Sequence, residues 1–146
     1  MERRKFFGSL FASGAGLLAL GGAARAKGAE VPKVAYHLSD LDKVNFVLGN
    51  ISNHIAGCGG PGDVMIALVV HGSALKAFHA IDAVADVENH LAVLKGEGVN
   101  PIACAITMKA QNVELDDLLP GFAVAEKGAV VRLSELQQQG YVYLRP

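Results

Sequence analysis

From Lys33 onward, short apolar runs alternate with stretches in which apolar residues recur every three or four positions. Runs of the first kind suit strands of a buried sheet, and stretches of the second kind suit amphipathic helices. Lys33 to Leu38 reads as the first strand. Val44, Val47, Leu48, Ile51 and Ile55 then form one helical stripe to about Ala56. Ser39 and Asp40 stand where its N-cap belongs, and Ser39-x-x-Asp42 fits an acidic variant of the capping box. Gly57-Cys58-Gly59-Gly60-Pro61-Gly62 stops that helix and turns the chain.

Asp63 to Val70 is a continuous apolar run of the kind buried on both faces, and His71-Gly72-Ser73 ends it. The spacing of Val84, Val87, Leu91 and Leu94 predicts a helix over Ala83 to Leu94, closed by Gly96-Glu97-Gly98. Pro101 opens a third strand, Ile102 to Met108, which gives way to a polar loop at Lys109-Ala110-Gln111-Asn112. A short helix at Glu114 to Leu119 ends at Pro120-Gly121. Phe122 to Ala125 reads as the fourth strand, Val130 to Gln139 as the last helix, and Tyr141 to Leu144 as a terminal strand. Strands alternating with helices imply βαβ units, so the expected fold is a three-layer α/β/α sandwich with a five-stranded, mainly parallel sheet.

In such a sheet, ligands and chemistry gather beyond the carboxyl ends of the strands. The layout sends His37, Ser39 and Asp40 there after the first strand, His71, Gly72 and Ser73 after the second, and Cys104 through Thr107 and Met108 with the third. A cysteine near a helix start or an imidazolium becomes a better nucleophile at neutral pH. Such a thiolate can take a sulfane sulfur by the displacement that drives disulfide exchange. Between Ala103 and Ala105, Cys104 reads equally well as a small buried hydrophobe. His71 could donate to an anionic ligand or hydrogen-bond its own loop. His37 could turn into the packing layer. His54, His79 and His90 lie on or near helices and read as packing or surface residues, with Asp86 and His90 spaced as a local pair.

The first 26 residues read as an address. Arg3-Arg4-Lys5 is a basic start, Phe6 to Ala24 is a weakly apolar run with five glycines, and Ala24-Arg25-Ala26 supplies a cleavage pattern, which puts the mature start at Lys27. The paired arginines before Lys5-Phe6-Phe7 suit a twin-arginine signal, with an ordinary secretory signal as the alternative. A permanent membrane anchor is not expected, because the glycines weaken a marginal span. Residues 27–146 are expected to form one domain, large enough for a real core. They hold nine Lys and Arg against thirteen Asp and Glu, a formal charge of −4, which argues against a nucleic-acid partner. Export would permit a disulfide between Cys58 and Cys104. The layout opposes it, since Cys58 follows a helix end at one edge of the sheet and Cys104 leads to the other.

Several functions are excluded by context. The glycine-rich segment at 57–62 precedes a strand and lacks the Gly-Lys-Ser/Thr of a phosphate loop, and no dinucleotide fingerprint or Gly-x-Ser-x-Gly elbow exists. No C-x-x-C, H-E-x-x-H or Cys/His cluster is present, so no zinc site and no cofactor are expected.

The chain from Lys27 resembles the DsrE/DsrF-like sulfur-relay proteins almost end to end. The resemblance lies in the order of its pieces: a long helix holding Asn50-Ile51-Ser52-Asn53-His54, the strand closing Val70-His71-Gly72, the Cys104 strand, Asp117-Leu118-Leu119-Pro120-Gly121-Phe122, and the closing Gly140-Tyr141-Val142-Tyr143-Leu144. It implies a flavodoxin-like sandwich assembled into homotrimers or homohexamers. It also implies, as in some members, a cysteine after the third strand that carries a persulfide, here Cys104. Relay members commonly follow that cysteine with paired arginines before a glycine, where this chain has Lys109-Ala110-Gln111-Asn112. The well-understood members are cytoplasmic, so an exported chain would need a different, periplasmic sulfur donor or acceptor.

Two readings follow. The first is a periplasmic sulfur carrier or transferase, with Cys104 as acceptor thiol and His71, Gly72, His37, Ser39 and Thr107 holding the ligand. The second is a non-catalytic oligomeric binding or assembly module in which Cys104 is core. For export, the expected outcome of replacing Arg3 and Arg4 together by Lys is an unprocessed precursor retained in the cytoplasm. Immunoblotting of cell fractions checks it, and unchanged cleavage at Ala26 would assign the ordinary secretory route.

Overall fold

In the computed structural model, residues 28–146 are described, and the expected leader at 1–26 lies outside them. Strands β1 (Lys33–Leu38), β2 (Met65–Val70), β3 (Asn100–Cys104), β4 (Ala123–Ala125) and β5 (Val142–Leu144) form one sheet in the order β4-β3-β2-β1-β5. All four pairings are parallel, so the sheet goes beyond the mainly parallel one expected. Helices α1 (Val44–Cys58), α2 (Ala85–Gly96), α3 (Ala105–Gln111) and α4 (Ala129–Gln138) connect the strands, with 3-10 turns at Leu41–Lys43, Gly72–Phe78 and Leu115–Asp117.

Two cores follow from the two-residue period of the strands. Val34, Tyr36 and Leu38 of β1 and Ile66, Leu68 and Val70 of β2 face one way. They pack with Val47, Leu48 and Ile51 of α1 and Leu91 and Leu94 of α2. The intervening Ala35, Ala67 and Val69, with Ile102, Cys104 and Ala125, face the other way, against Ala129, Leu133 and Leu136 of α4. The layers are therefore unequal. β1 to β4 step across the sheet in one direction, whereas α4 returns the chain from the β4 edge to β5 at the opposite edge, beside β1.

The expected third strand is cut short. β3 ends at Cys104, and Ala105-Ile106-Thr107-Met108 is the first part of α3 instead of more strand. β2 pairs with β3 only as far as Val70 with Ala103, and β4 only as far as Ala125 with Cys104. Beyond that point no neighbour remains to bond the backbone, so the chain satisfies itself by winding up. A short apolar run cannot by itself distinguish the two outcomes.

The cap expected at Ser39 is also absent. The chain enters α1 through the turn at Leu41–Lys43, whose N-cap, Asp40, makes no side-chain cap bond, while Ser39 Oγ accepts a hydrogen bond from Arg145 at 3.0 Å. Capping of that kind occurs before Leu115–Asp117, where the Asp117 carboxylate accepts the Glu114 N–H at 2.8 Å. Both cysteines are free: Cys58 closes α1 and Cys104 closes β3. Among the described residues, no helix is long and apolar enough to cross a membrane.

The turn Gly72–Phe78, for which no periodicity speaks, buries Ala74, Leu75 and Phe78. Phe78 has no exposed surface and meets the Phe122 ring edge-on, with centroids 5.4 Å apart. It anchors the segment after β2 to the segment before β4. Phe78→Ala is expected to lower unfolding stability by about 3–5 kcal/mol, the usual cost of deleting a buried aromatic, as read by urea denaturation.

Candidate functional site

Four residues form a row on the α4 face at the carboxyl edge. Tyr143 of β5 is in register with Ala35 of β1, which faces α4, and His37 lies two residues beyond Ala35 on the same strand. His71 stands two residues past Val69 in extended backbone, φ −150° and ψ −173°, and so keeps that side chain's face. Cys104 lies two residues past Ile102. The sheet order puts Tyr143, His37, His71 and Cys104 on neighbouring strands or their ends, with His37 two residues beyond the partner of Tyr143, His71 two beyond the partner of His37, and Cys104 level with His71.

Three of the four are hydrogen-bonded in line. Tyr143 Oη meets His37 Nδ1 at 2.7 Å, and His37 Nε2 meets His71 Nε2 at 2.5 Å. The two imidazole centroids are 4.8 Å apart with planes 19° from parallel. The centroids are thus farther apart than the nitrogens by about two ring radii, so the rings lie end to end and one proton occupies the gap. Only two neutral arrangements satisfy the chain. Either Tyr143 donates to His37 and His37 to His71, or His71 donates to His37 and His37 to Tyr143.

Burial lowers the pKa of His37, helped by His71 and Arg145 and opposed by Asp40, to about 4. The His71 pKa is lowered too, by burial first and then by Arg145, again against Asp40. Arg145 is held at the site by Ser39 Oγ and by Asp40 at 3.4 Å.

The loop after β2 is clamped by α3. Gly72 N–H donates to Thr107 Oγ1 at 3.1 Å, and Gln111, one turn later, donates from Nε2 to Gly72 O at 2.8 Å. Gln111 Oε1 accepts from His79 Nε2 at 2.8 Å, which places the His79 proton on Nε2. Gly72 has φ +57°, and a Cβ there would lie 3.1 Å from Ser39 O. The close approach requires glycine.

Cys104 is 4% exposed. Ala129 N–H, at the start of α4, donates to Sγ at 3.3 Å, whereas Cys104 makes no side-chain cap bond to α3, which follows it directly. Burial raises the thiol pKa, but the Thr107 amide and hydroxyl and the Ala129 and Ile106 amides together outweigh it, and the net shift is downward. The cover over the sulfur is thin. At Gly128, φ +97°, a Cβ would lie 2.7 Å from Ile106 Cδ1 and 3.9 Å from Sγ, and Ile106 itself is 64% exposed.

The sequence-derived residues thus assemble at one edge, with Thr107 among the groups that lower the Cys104 pKa, Thr107 and Gly72 joined by a hydrogen bond, and His71 and His37 to each other. Ser39 serves the backbone and Arg145, its carbonyl accepting Ala74 N–H at 3.1 Å. His90 of α2 bonds the Ser52 hydroxyl of α1 at 2.9 Å, and His54 of α1 meets Tyr36 Oη of β1 at 2.8 Å, both on the face of the sheet opposite the site. Sequence reading missed Tyr143, Arg145 and Gln111. The alternation of Tyr141 and Tyr143 on one face was available as a signal. That β5 pairs with β1 was not. Among the described residues, no three His, Cys, Asp or Glu side chains converge as metal ligands.

Several solved structures match this architecture, among them the following three. A protein of unknown function, MTH1491 from Methanobacterium thermoautotrophicum, superposes with a TM-score of 0.69 at 26% identity, covering 79% of this chain and 99% of that one. The conserved protein of unknown function BT1422 from Bacteroides thetaiotaomicron gives 0.58 at 18% identity, over 78% and 94% of the two chains. The ychN protein from E. coli gives 0.58 at 12% identity, over 78% and 99%. They share its fold. No protein-family model and no curated protein matches the chain. The likeness bears out the α/β architecture implied by the DsrE/DsrF resemblance.

The lowered His37 pKa ties stability to pH. The folded state keeps this imidazole neutral well below the ordinary value of 6.5, whereas the unfolded chain takes up the proton there. Its contribution is therefore fully present above about pH 6.5, declines as pH falls toward about 4, and changes no further below that. Urea midpoints are expected to drop across that window, and His37→Asn to flatten the drop.

Proposed function

We propose that this protein is a thiol-based sulfur carrier, with Cys104 as the residue that accepts sulfane sulfur as a persulfide. The observation that supports the reading best is the hydrogen bond from Ala129 N–H to Sγ, beside the polar groups of Thr107 and Ile106 that help lower the thiol pKa. Such groups favour a sulfur anion, whether thiolate or the persulfide that follows it. Thiolate attack on the outer sulfur of a persulfide donor forms one S–S bond and breaks another, without any cofactor. The DsrE/DsrF resemblance points to the same cysteine. The proposal extends to a periplasmic location after removal of residues 1–26, to a homotrimeric or homohexameric assembly, and to a protein donor or acceptor of sulfur in that compartment.

A second reading has its own observation. At 4% exposure, Cys104 could serve as a core residue of an assembly module. The thin cover of Ile106 and Gly128 separates the two experimentally. Incubation of the native protein with polysulfide, followed by peptide mass spectrometry, is expected to add sulfur at Cys104 in preference to Cys58. Cys104→Ser should fold normally and lose the adduct, and Ile106→Ala should speed alkylation of Cys104 by iodoacetamide. Resistance of Cys104 to polysulfide and iodoacetamide until the protein is denatured would select the core reading.

A further inference from the structure

The row at the carboxyl edge contains more than a thiol needs for its own stability. His37 and His71 spend a close contact on each other, 2.5 Å between Nε2 atoms, and Tyr143 fixes the far nitrogen of His37 at 2.7 Å. We infer that His71 carries the proton in sulfur transfer at Cys104, and that His37 and Tyr143 are positioning residues that orient it and couple its tautomer to theirs. This inference rests on the sulfur-carrier reading and adds the proton chemistry that reading leaves open.

The register brings the two ends together. The ladder that pairs Val70 with Ala103 leads directly to His71 on one strand and Cys104 on the next. Both side chains lie on the α4 face, and the Gly72 N–H bond to Thr107 Oγ1 at 3.1 Å ties the His71 loop to the first turn after Cys104. When Tyr143 Oη accepts from His37 Nδ1–H, His37 Nε2 bears a lone pair and accepts from His71 Nε2–H. His71 Nδ1 is then left as the basic nitrogen. A neutral imidazole is what proton acceptance requires, and burial keeps both rings neutral at pH 7. Arg145 and Asp40 are the charged groups acting on the pair.

The chemistry closes without an oxidant or reductant. A donor R–S–SH presents its outer sulfur to the Cys104 thiolate. A bond forms between Sγ and that sulfur, the S–S bond of the donor breaks, and its electron pair leaves on R–S⁻. His71 Nδ1 takes the proton from the transferred sulfur and delivers it to R–S⁻. The products are Cys104–S–S⁻ and R–SH, with one negative charge before and after. In the arrangement in which Tyr143 accepts from His37 that nitrogen is basic, and His37 shares the charge while the proton is on the pair.

The test uses the purified mature protein in its native assembly, with glutathione persulfide as donor, and follows Cys104 persulfide by rapid quench and mass spectrometry across pH 5–8. His71→Asn and His71→Gln are expected to slow loading by about 10–100-fold, within the usual range for acid–base catalysis. Tyr143→Phe, which removes a single oxygen, should slow loading by about tenfold and change its pH profile, with the final extent of persulfide unchanged. Imidazole 15N spectra should show the unprotonated nitrogen of His71 moving from Nδ1 in that variant, a change a purely structural role for Tyr143 would not produce. Loading of all three variants at the wild-type rate and pH profile would overturn the proton role alone. A wild-type protein that takes no sulfur at Cys104 at any pH would overturn the carrier reading and the proton role together.

Discussion

The parallel ladder aligning Leu38, Val70, Ala103 and Val124 determines what can happen at the carboxyl edge. Because side chains alternate, that one register sends Val34, Tyr36 and Leu38 toward α1 and α2, and Ala35, His37 and Cys104 toward α4. A slip by one residue would exchange the two sets, placing the apolar stripe against one helix and the imidazole in the larger core. The strong apolar matching of β1 and β2 to α1 and α2 thereby fixes the position of polar residues with which it has no contact. The placement of this edge's polar side chains is a by-product of packing on the opposite face.

The α4 layer depends on small residues. Ala35, Ala67, Ala125 and Ala129 line its contact with the sheet, so the helix start comes close enough for Ala129 N–H to reach Sγ. Gly128 suits that approach, since its φ of +97° favours glycine and a side chain there would displace Ile106 and touch the sulfur. Burial and donor supply act on Cys104 in opposite directions, and the donors prevail. A thiol in an alanine-lined core with no such helix start would have its pKa raised by burial alone.

Much of the architecture was legible in the chain. The apolar strands Lys33–Leu38 and Asp63–Val70 and the periodic helical stripe from Val44 to Ile55 are bounded by turn residues, and the structure keeps them nearly as read. What could not be read was decided by partners distant in sequence. Ile106 and Met108 look like strand residues until the neighbours of β3 run out, and Ser39 looks like a cap until Arg145, 106 positions away, occupies it. The site divides in the same way. His37, Ser39, His71, Gly72, Cys104 and Thr107 followed from local order, whereas the bond that joins His37 to Tyr143 depends on which strand β5 chooses as its neighbour.

That choice has a bearing on how the molecule assembles in time. β5 pairs Val142 with Val34, Tyr143 with Ala35 and Leu144 with Tyr36, joining the two ends of the described chain across the whole intervening domain. Contacts of such long sequence separation form after the loop they close has been ordered, and a three-residue strand at a sheet edge is among the first elements to open again. The hydrogen bond between Tyr143 and His37 is therefore expected to form late when the chain folds and to open early when it breathes. Hydrogen exchange at Tyr143 would report whether the edge is closed long before the core of the sheet responds.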